Sequence, residues 1–325
     1  MASKPCITII GMGLIGASIG LAIRKARGDE IEIVGHDKQP GVAGAARRMG
    51  AIHKVERNLF SACARADMIV MAIPASEIKD TLQFVANDLK SGCVITDTAS
   101  LKAPVLKWAD ELLPAEASFV GGDPILFGDD AGIESARPDL FENKLYCLTP
   151  SDRASSDAVK LVTDLVAMLG AIPHYIDPYE HDGLIGGTEH LADVAAVTLL
   201  HALSSSDGWR DMRRLCGATF DRVTCFSIAD AAEYRDRALL NRDNMVRWID
   251  SLQETLSHFR MLVQRGDAEE IENYYRVQMD VRQQWLEAHA TQAWDGQRMQ
   301  SDIPSAGEMM GQMFFGGLGR RRSRD

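Results

Sequence analysis

The sequence predicts an α/β domain built on a parallel sheet, followed by an all-helical domain, and two observations carry that prediction. From residue 5 to about 177, short β-rich runs alternate with helical patterns, which is the order that strand–helix–strand units leave in a chain. After Asp177-Pro178 the strand signals stop, and nearly everything to residue 290 reads as helix. At 325 residues the chain has room for two domains. The expected division is 1–177, then 178–295, then an irregular tail over 296–325.

The strand runs are 6–10, 31–35, 68–73, 93–96, 118–121, 145–148 and 172–176. Helical patterns lie between most of them. Over 77–89, Ile78, Leu82, Val85 and Leu89 recur at spacings of four and three, so one face is apolar and can pack on the sheet. In the helical half, Met245, Ile249, Leu252, Leu256, Phe259 and Val263 keep a similar rhythm. That stripe needs a partner helix, either inside the domain or across a subunit interface. Gly266-Asp267 stops this helix, and Asp267 is placed to cap the next, over 268–287. From Gly296 onward the chain is rich in Gly, Met and Arg with weak periodicity, so an irregular segment is expected.

Composition excludes several classes. Apolar residues at 46% and charged residues at 25% are those of an ordinary globular enzyme, not of a disordered or fibrous chain. With 35 basic against 46 acidic residues the net charge is -11. Such a surface repels phosphate backbones, so nucleic acid is not an expected partner. The basic run Arg320, Arg321, Arg322 and Arg324 reads as a frayed terminus. The six cysteines are scattered without a CxxC pair, which fits reduced thiols in a cytoplasmic protein better than a zinc site or disulfide framework. No signal-peptide layout opens the chain, and no apolar run reaches the ~18 residues of a membrane span.

The first strand run ends in Gly11-Met12-Gly13-Leu14-Ile15-Gly16, and a helical pattern follows from Ala17. A GxGxxG between a first strand and a first helix is where dinucleotide binding requires it. Gly11 permits the tight turn, Gly13 lets the backbone approach a pyrophosphate, and Gly16 allows close helix–strand packing. Amides at the helix start, around Leu14 and Ile15, then face the diphosphate. The domain is therefore expected to be of the Rossmann type, with Ala72, Ile73 and Pro74 at the end of the 68–73 run beside the cofactor. Asp37 lies 21 residues past Gly16, where a carboxylate bonds the adenosine ribose hydroxyls. It would repel a 2′-phosphate, so NAD is expected over NADP; the adjacent Lys38 leaves some tolerance for NADP.

Further motifs follow in order: Asp97-Thr98-Ala99-Ser100-Leu101-Lys102, then Gly121-Gly122-Asp123-Pro124-Ile125, Glu180-His181-Asp182, Glu189-His190-Leu191-Ala192-Asp193, and Gly208-Trp209-Arg210-Asp211-Met212-Arg213-Arg214. In this order and spacing the chain resembles the prephenate dehydrogenase family, which includes arogenate dehydrogenases, over roughly residues 5–290. The resemblance implies a homodimer formed through the helical domain and a small-molecule substrate held between the domains. It also implies oxidative decarboxylation: hydride leaves a cyclohexadienol ring for NAD, carbon dioxide departs, and the ring becomes aromatic. On that basis Asp123, Ser100 and His190 are the candidate catalytic residues. Arg214 is the candidate carboxylate anchor, with Asp193, Arg210 and Arg213 as further substrate contacts, and no metal is implied.

Two departures stand out. The family's Gly-Gly-His-Pro motif has Asp123 in place of its histidine, and the second histidine of Ser-His-Leu-Pro-His is Asp193, with Glu189 at the serine. Like charges ~4 Å apart cost roughly 4 kcal/mol at an effective dielectric near 20. A dianionic substrate is therefore disfavoured unless arginines compensate, and a substrate that is less anionic or carries an amine is an alternative. So is a homologue that binds NAD without catalysing a reaction. Structural roles compete at each position: a helix cap for Ser100, a turn before Pro124 for Asp123, a helix surface for Asp193, a core imidazole for His190, and a solvated face for Arg210 and Arg213.

Overall fold

The computed structural model describes residues 4–128, 130–226 and 231–291. Its centre is an eight-stranded sheet: β1 (Cys6–Ile10), β2 (Glu32–His36), β3 (Lys54–Val55), β4 (Met68–Met71), β5 (Val94–Asp97), β6 (Ser118–Pro124), β7 (Leu145–Pro150) and β8 (Ile172–Tyr175). The helices around it are α1 (Leu14–Arg27), α2 (Pro40–Arg48), α3 (Leu59–Cys63), α4 (Ala75–Val85), α5 (Ala103–Leu112) and α6 (Ser156–Met168). Strand order is β3-β2-β1-β4-β5-β6-β7-β8. The chain builds outward from β1 to β3 and then restarts on the other side at β4. That reversal opens a crevice beyond the carboxyl ends of β1 and β4.

β1, β4 and β5 are buried along their whole length because helices cover both faces, which is why they read as unbroken apolar runs. Ile9, Ile19, Ile23, Phe141 and Val162 form the core on one face; Ile10, Ile69, Ile78, Leu82 and Val105 form it on the other. The helix expected over 77–89 is α4 followed by a 3-10 turn (Ala86–Asp88), with Ile78, Leu82 and Val85 buried on the sheet. Four of the six cysteines are buried and all are free thiols.

The sheet departs from the expected all-parallel order at one pair: β6 and β7 run antiparallel. Among the described residues of the connection only a short 3-10 turn (Ile133–Ser135) forms, with no helix to cross a face of the sheet, and the strand returns alongside its predecessor. The two-residue edge strand β3 was not expected from the sequence.

Helices α7 (Pro178–Ile185), α8 (Leu191–Ser204), α9 (Trp209–Met212), α10 (Ala218–Val223), α11 (Ala231–Leu240), α12 (Arg242–Arg265) and α13 (Ala268–Thr291) follow the sheet. Secondary structure changes character at residue 177, while by contact the chain divides further along. The first unit extends from Met1 to Trp248, and a second begins at Ile249. Polar ties explain the extension: Asp182 in α7 accepts from the amides of Lys102 at 2.7 Å and Ala103 at 2.9 Å. Asn241 donates to the Asp182 carbonyl, and Trp248 Nε1 donates to the Gly183 carbonyl, both at 2.8 Å.

In the second unit, Gly266 takes a left-handed φ of 68° between two helices, and Asp267 accepts from the Glu270 amide at 3.1 Å, as the capping pattern predicts. Phe259 packs on Tyr274 and Tyr275 with ring centroids 5.2 and 5.8 Å away. Leu256 and Val263 of the predicted stripe are 60% and 56% exposed, and no residue of α13 is buried. Among the described residues no helix is long and apolar enough to cross a membrane. The expected tail, with its arginine run, lies outside the described residues.

Candidate active site

At the carboxyl edge of the sheet the register brings five positions into line. Ile10 sits beside His36 and Met71, and Met71 sits beside Asp97, so the residues leaving β1, β2, β4 and β5 emerge together, with the end of β6 next in order.

The glycine loop occupies the β1 position. Gly11 has φ +87°, and a Cβ there would lie 2.2 Å from the Ala72 carbonyl oxygen. A Cβ on Gly16 would lie 1.9 Å from the Gly11 oxygen, so α1 packs onto the turn only because the side chain is missing. Gly13 differs: a Cβ there would meet nothing within 4 Å, so its backbone faces open space. Gly13 also caps α1 without a side-chain hydrogen bond, and the first turn carries no acidic residue. The free amides around Leu14 and Ile15 therefore suit an anionic diphosphate. Asp37 accepts from the Met12 amide at 2.8 Å and the Gln39 amide at 2.7 Å, which fixes its carboxylate at the edge of the loop. Lys38 pairs with Glu77. Ile73 packs against the second core cluster and Pro74 opens α4, so both flank Ala72.

Next to this edge lies a buried ionic network. Lys102 Nζ, fully buried, donates to Asp97 at 2.5 Å and to the Gly122 carbonyl at 2.6 Å. Asp97 also accepts from the amides of Ala99 and Gly122. Gly121 and Gly122 are required by this crowding: a Cβ on the first would lie 2.3 Å from Thr149 Oγ1, and on the second 2.8 Å from both the Asp97 carbonyl and the Tyr146 ring. Asp123 then lies inside β6, 6% exposed, with Oδ2 3.2 Å from His181 Nε2. It is a strand residue, not the turn residue that a following proline suggests. His181 Nδ1 is 3.0 Å from Asp182 Oδ1.

Burial raises the Asp123 carboxyl above the usual range, against the hydrogen bond from His181 and the charge of Lys102. Burial works against a charge on His181 too, yet its bonds to Asp123 and Asp182 prevail and push the imidazole up to about 11. For this coupled pair we take the imidazolium as the stable form, because two carboxylates flank it.

A second group surrounds His190, which ends a π-helical turn (Gly186–His190) between α7 and α8. Its Nε2 lies 3.5 Å from Ser100 Oγ, and its buried Nδ1 has no hydrogen-bond partner. Burial and the nearby Arg237 depress its pKa to about 4, so the ring is neutral at pH 7. Ser100 does not cap a helix; α5 begins after Lys102 without a side-chain cap. Atoms crowding Glu189, and Asp123 beside it, push that carboxyl up toward about 7, a shift moderated by solvent because the side chain is exposed.

His190 and Asp193 line a cavity of about 250 Å³, otherwise mostly apolar, with Val194, Val197, Tyr234 and Met245 in its wall. Among the described lining residues the guanidinium is that of Arg237, which pairs with Glu233 and lies 3.9 Å from Asp193. Burial raises the Asp193 carboxyl, and Arg237 opposes the rise. The predicted arginines are elsewhere: Arg210 in α9, and Arg213 and Arg214 just past it, are exposed and do not line this cavity.

Sequence reading missed four participants. His181 and Asp182 were visible only as part of a motif, Lys102 only as a neighbour of Ser100, and Arg237 carried no signal at all. A lysine and an Asp-flanked histidine within otherwise apolar surroundings were the available hint.

A switch-point crevice lined by a glycine turn, with a buried acid–base cluster where β5, β6 and α7 meet, is that of a dinucleotide-binding protein of the Rossmann class. The comparisons narrow this. Residues 19–174 match the family model described as prephenate dehydrogenase, nucleotide-binding domain, and residues 177–277 match that of the prephenate dehydrogenase dimerization domain. A prephenate dehydrogenase of Bacillus subtilis is 30% identical over 86% of this chain and 76% of its own length. A cyclohexadienyl dehydrogenase of Zymomonas mobilis is 23% identical over 85% of this chain and 94% of its own. Among solved structures, the prephenate dehydrogenase of A. aeolicus in complex with hydroxyphenyl propionate and NAD+ is similar with a TM-score of 0.79 and 25% identity, covering 87% of this chain and 99% of that one. The chain belongs to the prephenate dehydrogenase family.

Proposed function

We propose that the protein is an NAD-dependent dehydrogenase that oxidises a prephenate- or arogenate-type cyclohexadienyl acid with decarboxylation and aromatisation. The observation that carries this is the placement of Asp123, a buried carboxylate, on the same sheet edge as a glycine loop whose open Gly13 and uncapped helix start fit a dinucleotide diphosphate. NAD, when bound, supplies the hydride acceptor, as the NAD+ complex of the A. aeolicus relative suggests. Asp37 would hold the adenosine ribose, with Ala72, Ile73 and Pro74 along the crevice.

On the substrate side, Asp123 accepts the hydrogen bond of the ring hydroxyl while hydride departs, drawing electron density onto that oxygen. The phenolic product keeps this proton, so the step needs an acceptor and no net base. His190, neutral and with Ser100 beside it, offers a second polar contact to the ring. Arg214 anchors a carboxylate. Because Arg214 is exposed and the apolar faces of Leu256, Val263 and α13 are uncovered, we place it at a homodimer interface formed through the helical half, in a cytoplasmic enzyme.

A second reading is favoured by the local charge. Asp123, Glu189 and Asp193 are carboxylates, and Arg237 is already paired. A substrate with an amine in place of the ring hydroxyl would be attracted where a dianion is repelled. The test is turnover: protein with NAD and prephenate, arogenate or the amine analogue of prephenate, followed by absorbance of the reduced nicotinamide. Tight NAD binding without turnover of any of the three would turn the proposal toward a non-catalytic NAD-binding homologue.

A further inference from the structure

We infer that His181 is a positioning residue: a buried imidazolium, clamped between Asp182 and Asp123, that keeps Asp123 ionised and aimed as the acceptor for the reacting group. This rests on the reading of Asp123 as that acceptor. In this chain a carboxylate occupies the place where the family carries an imidazole, and a bare carboxylate in so dry a position would tend to hold its own proton. The structure supplies the countercharge from a residue 58 positions further along the chain.

The geometry is specific. Asp182 cannot rotate away, because its two oxygens are taken by the amides of Lys102 and Ala103. Its Oδ1 then receives His181 Nδ1, which leaves Nε2 directed at Asp123 Oδ2. Both ring nitrogens thus face carboxylate oxygens, and only the doubly protonated ring satisfies both as a donor. His181 is 1% exposed, so water does not screen the arrangement. The other titratable groups around the pair are Asp97 and Lys102 at the β5 end, which bond each other, Tyr146 and Cys147 of β7, and Glu189 and the neutral His190 of the π turn. Burial and the charges of Asp97 and Asp123 drive the Tyr146 hydroxyl upward, so it stays neutral. Lys102 is committed to Asp97 and the Gly122 carbonyl, which leaves His181 as the cation in hydrogen-bond contact with Asp123.

Two measurements test this. In His181→Gln, a side-chain amide keeps a donor toward Asp123 but removes the charge. The acidic limb of the kcat/KM profile should move to higher pH by one unit or more, with activity recovered on the alkaline side. An equal loss at every pH, or no change, overturns the inference. Should that variant fail to fold, NMR of ring-labelled histidine in the wild-type protein decides: His181 should remain an imidazolium at pH 8, and in Asp123→Asn it should titrate at lower pH. A neutral His181 ring at pH 8 overturns the inference. If Asp123→Asn retains full kcat, the acceptor reading itself falls and takes this role with it. If Asp123→Asn loses turnover while His181 is neutral, only the inference falls.

Discussion

The two ends of the candidate site are built on opposite principles. Around Gly11, Gly13 and Gly16 the fit to a ligand comes from side chains that are missing: backbone approaches backbone, and free amides face outward. Around Asp123 it comes from side chains that are present and mutually dependent, with Asp97, Lys102, Asp182 and His181 sharing hydrogen bonds in a dry interior. The first kind of site tolerates variation in everything but its glycines. The second changes character when one member changes, since each charge sets the protonation of the next.

The largest effect that would break this contrast is expected at Asp123. Asp123→Asn keeps the shape, removes the acceptor charge, and should lower kcat by about two powers of ten or more, the usual scale for a positioned proton acceptor. Asp123→His replaces the carboxylate by an imidazole and should raise activity on prephenate relative to an amine-bearing analogue; a change in the opposite direction would remove the charge argument for substrate choice. At Arg214 a smaller loss is expected. Arg214→Ala should reduce kcat/KM by about 2 kcal/mol, the low end for removing one partner of an interfacial charge pair, because the side chain is exposed in the single chain. Unchanged kinetics would hand the anchoring role to Arg237. On the nucleotide side, Asp37→Ser should weaken NAD by about 1.5 kcal/mol, a charged hydrogen bond, and narrow its preference over NADP. A wild-type preference for NADP would contradict the role given to Asp37.

The same contrast governs what could be read in advance. Strand and helix order was legible because burial on both faces leaves unbroken apolar runs, and the glycine loop was legible because its spacing is local. The antiparallel β6–β7 pair was not, since the runs themselves look alike in either direction and the connection is as long as the one that holds α5. Asp123 was singled out as a departure, but its partner was not, because contact between residues 123 and 181 depends on α7 docking against the sheet edge through Asp182. Arg237 lies in a helix with no buried residue and little apolar periodicity, so nothing in its neighbourhood marked it.

The finest test compares two buried histidines that the fold treats in opposite ways. His190 is held near 4, below the ~6.5 of an unfolded chain. Between those values the unfolded state binds a proton that the folded state does not, so this residue makes stability fall as pH drops below 6.5. His181 is raised to about 11, so its contribution is complete below 6.5 and is lost as pH rises toward 11. Together they place a stability maximum near neutrality. Replacing His190 by Gln removes the first slope alone, and between pH 6.5 and 5.5 the variant should lose about 1 kcal/mol less stability than the wild type, measured by denaturant unfolding. Parallel curves for the two proteins over that interval would mean that His190 takes up its proton within the fold. Its ring would then be a cation beside Arg237, and the neutral contact assigned to it in the substrate site would have to be abandoned.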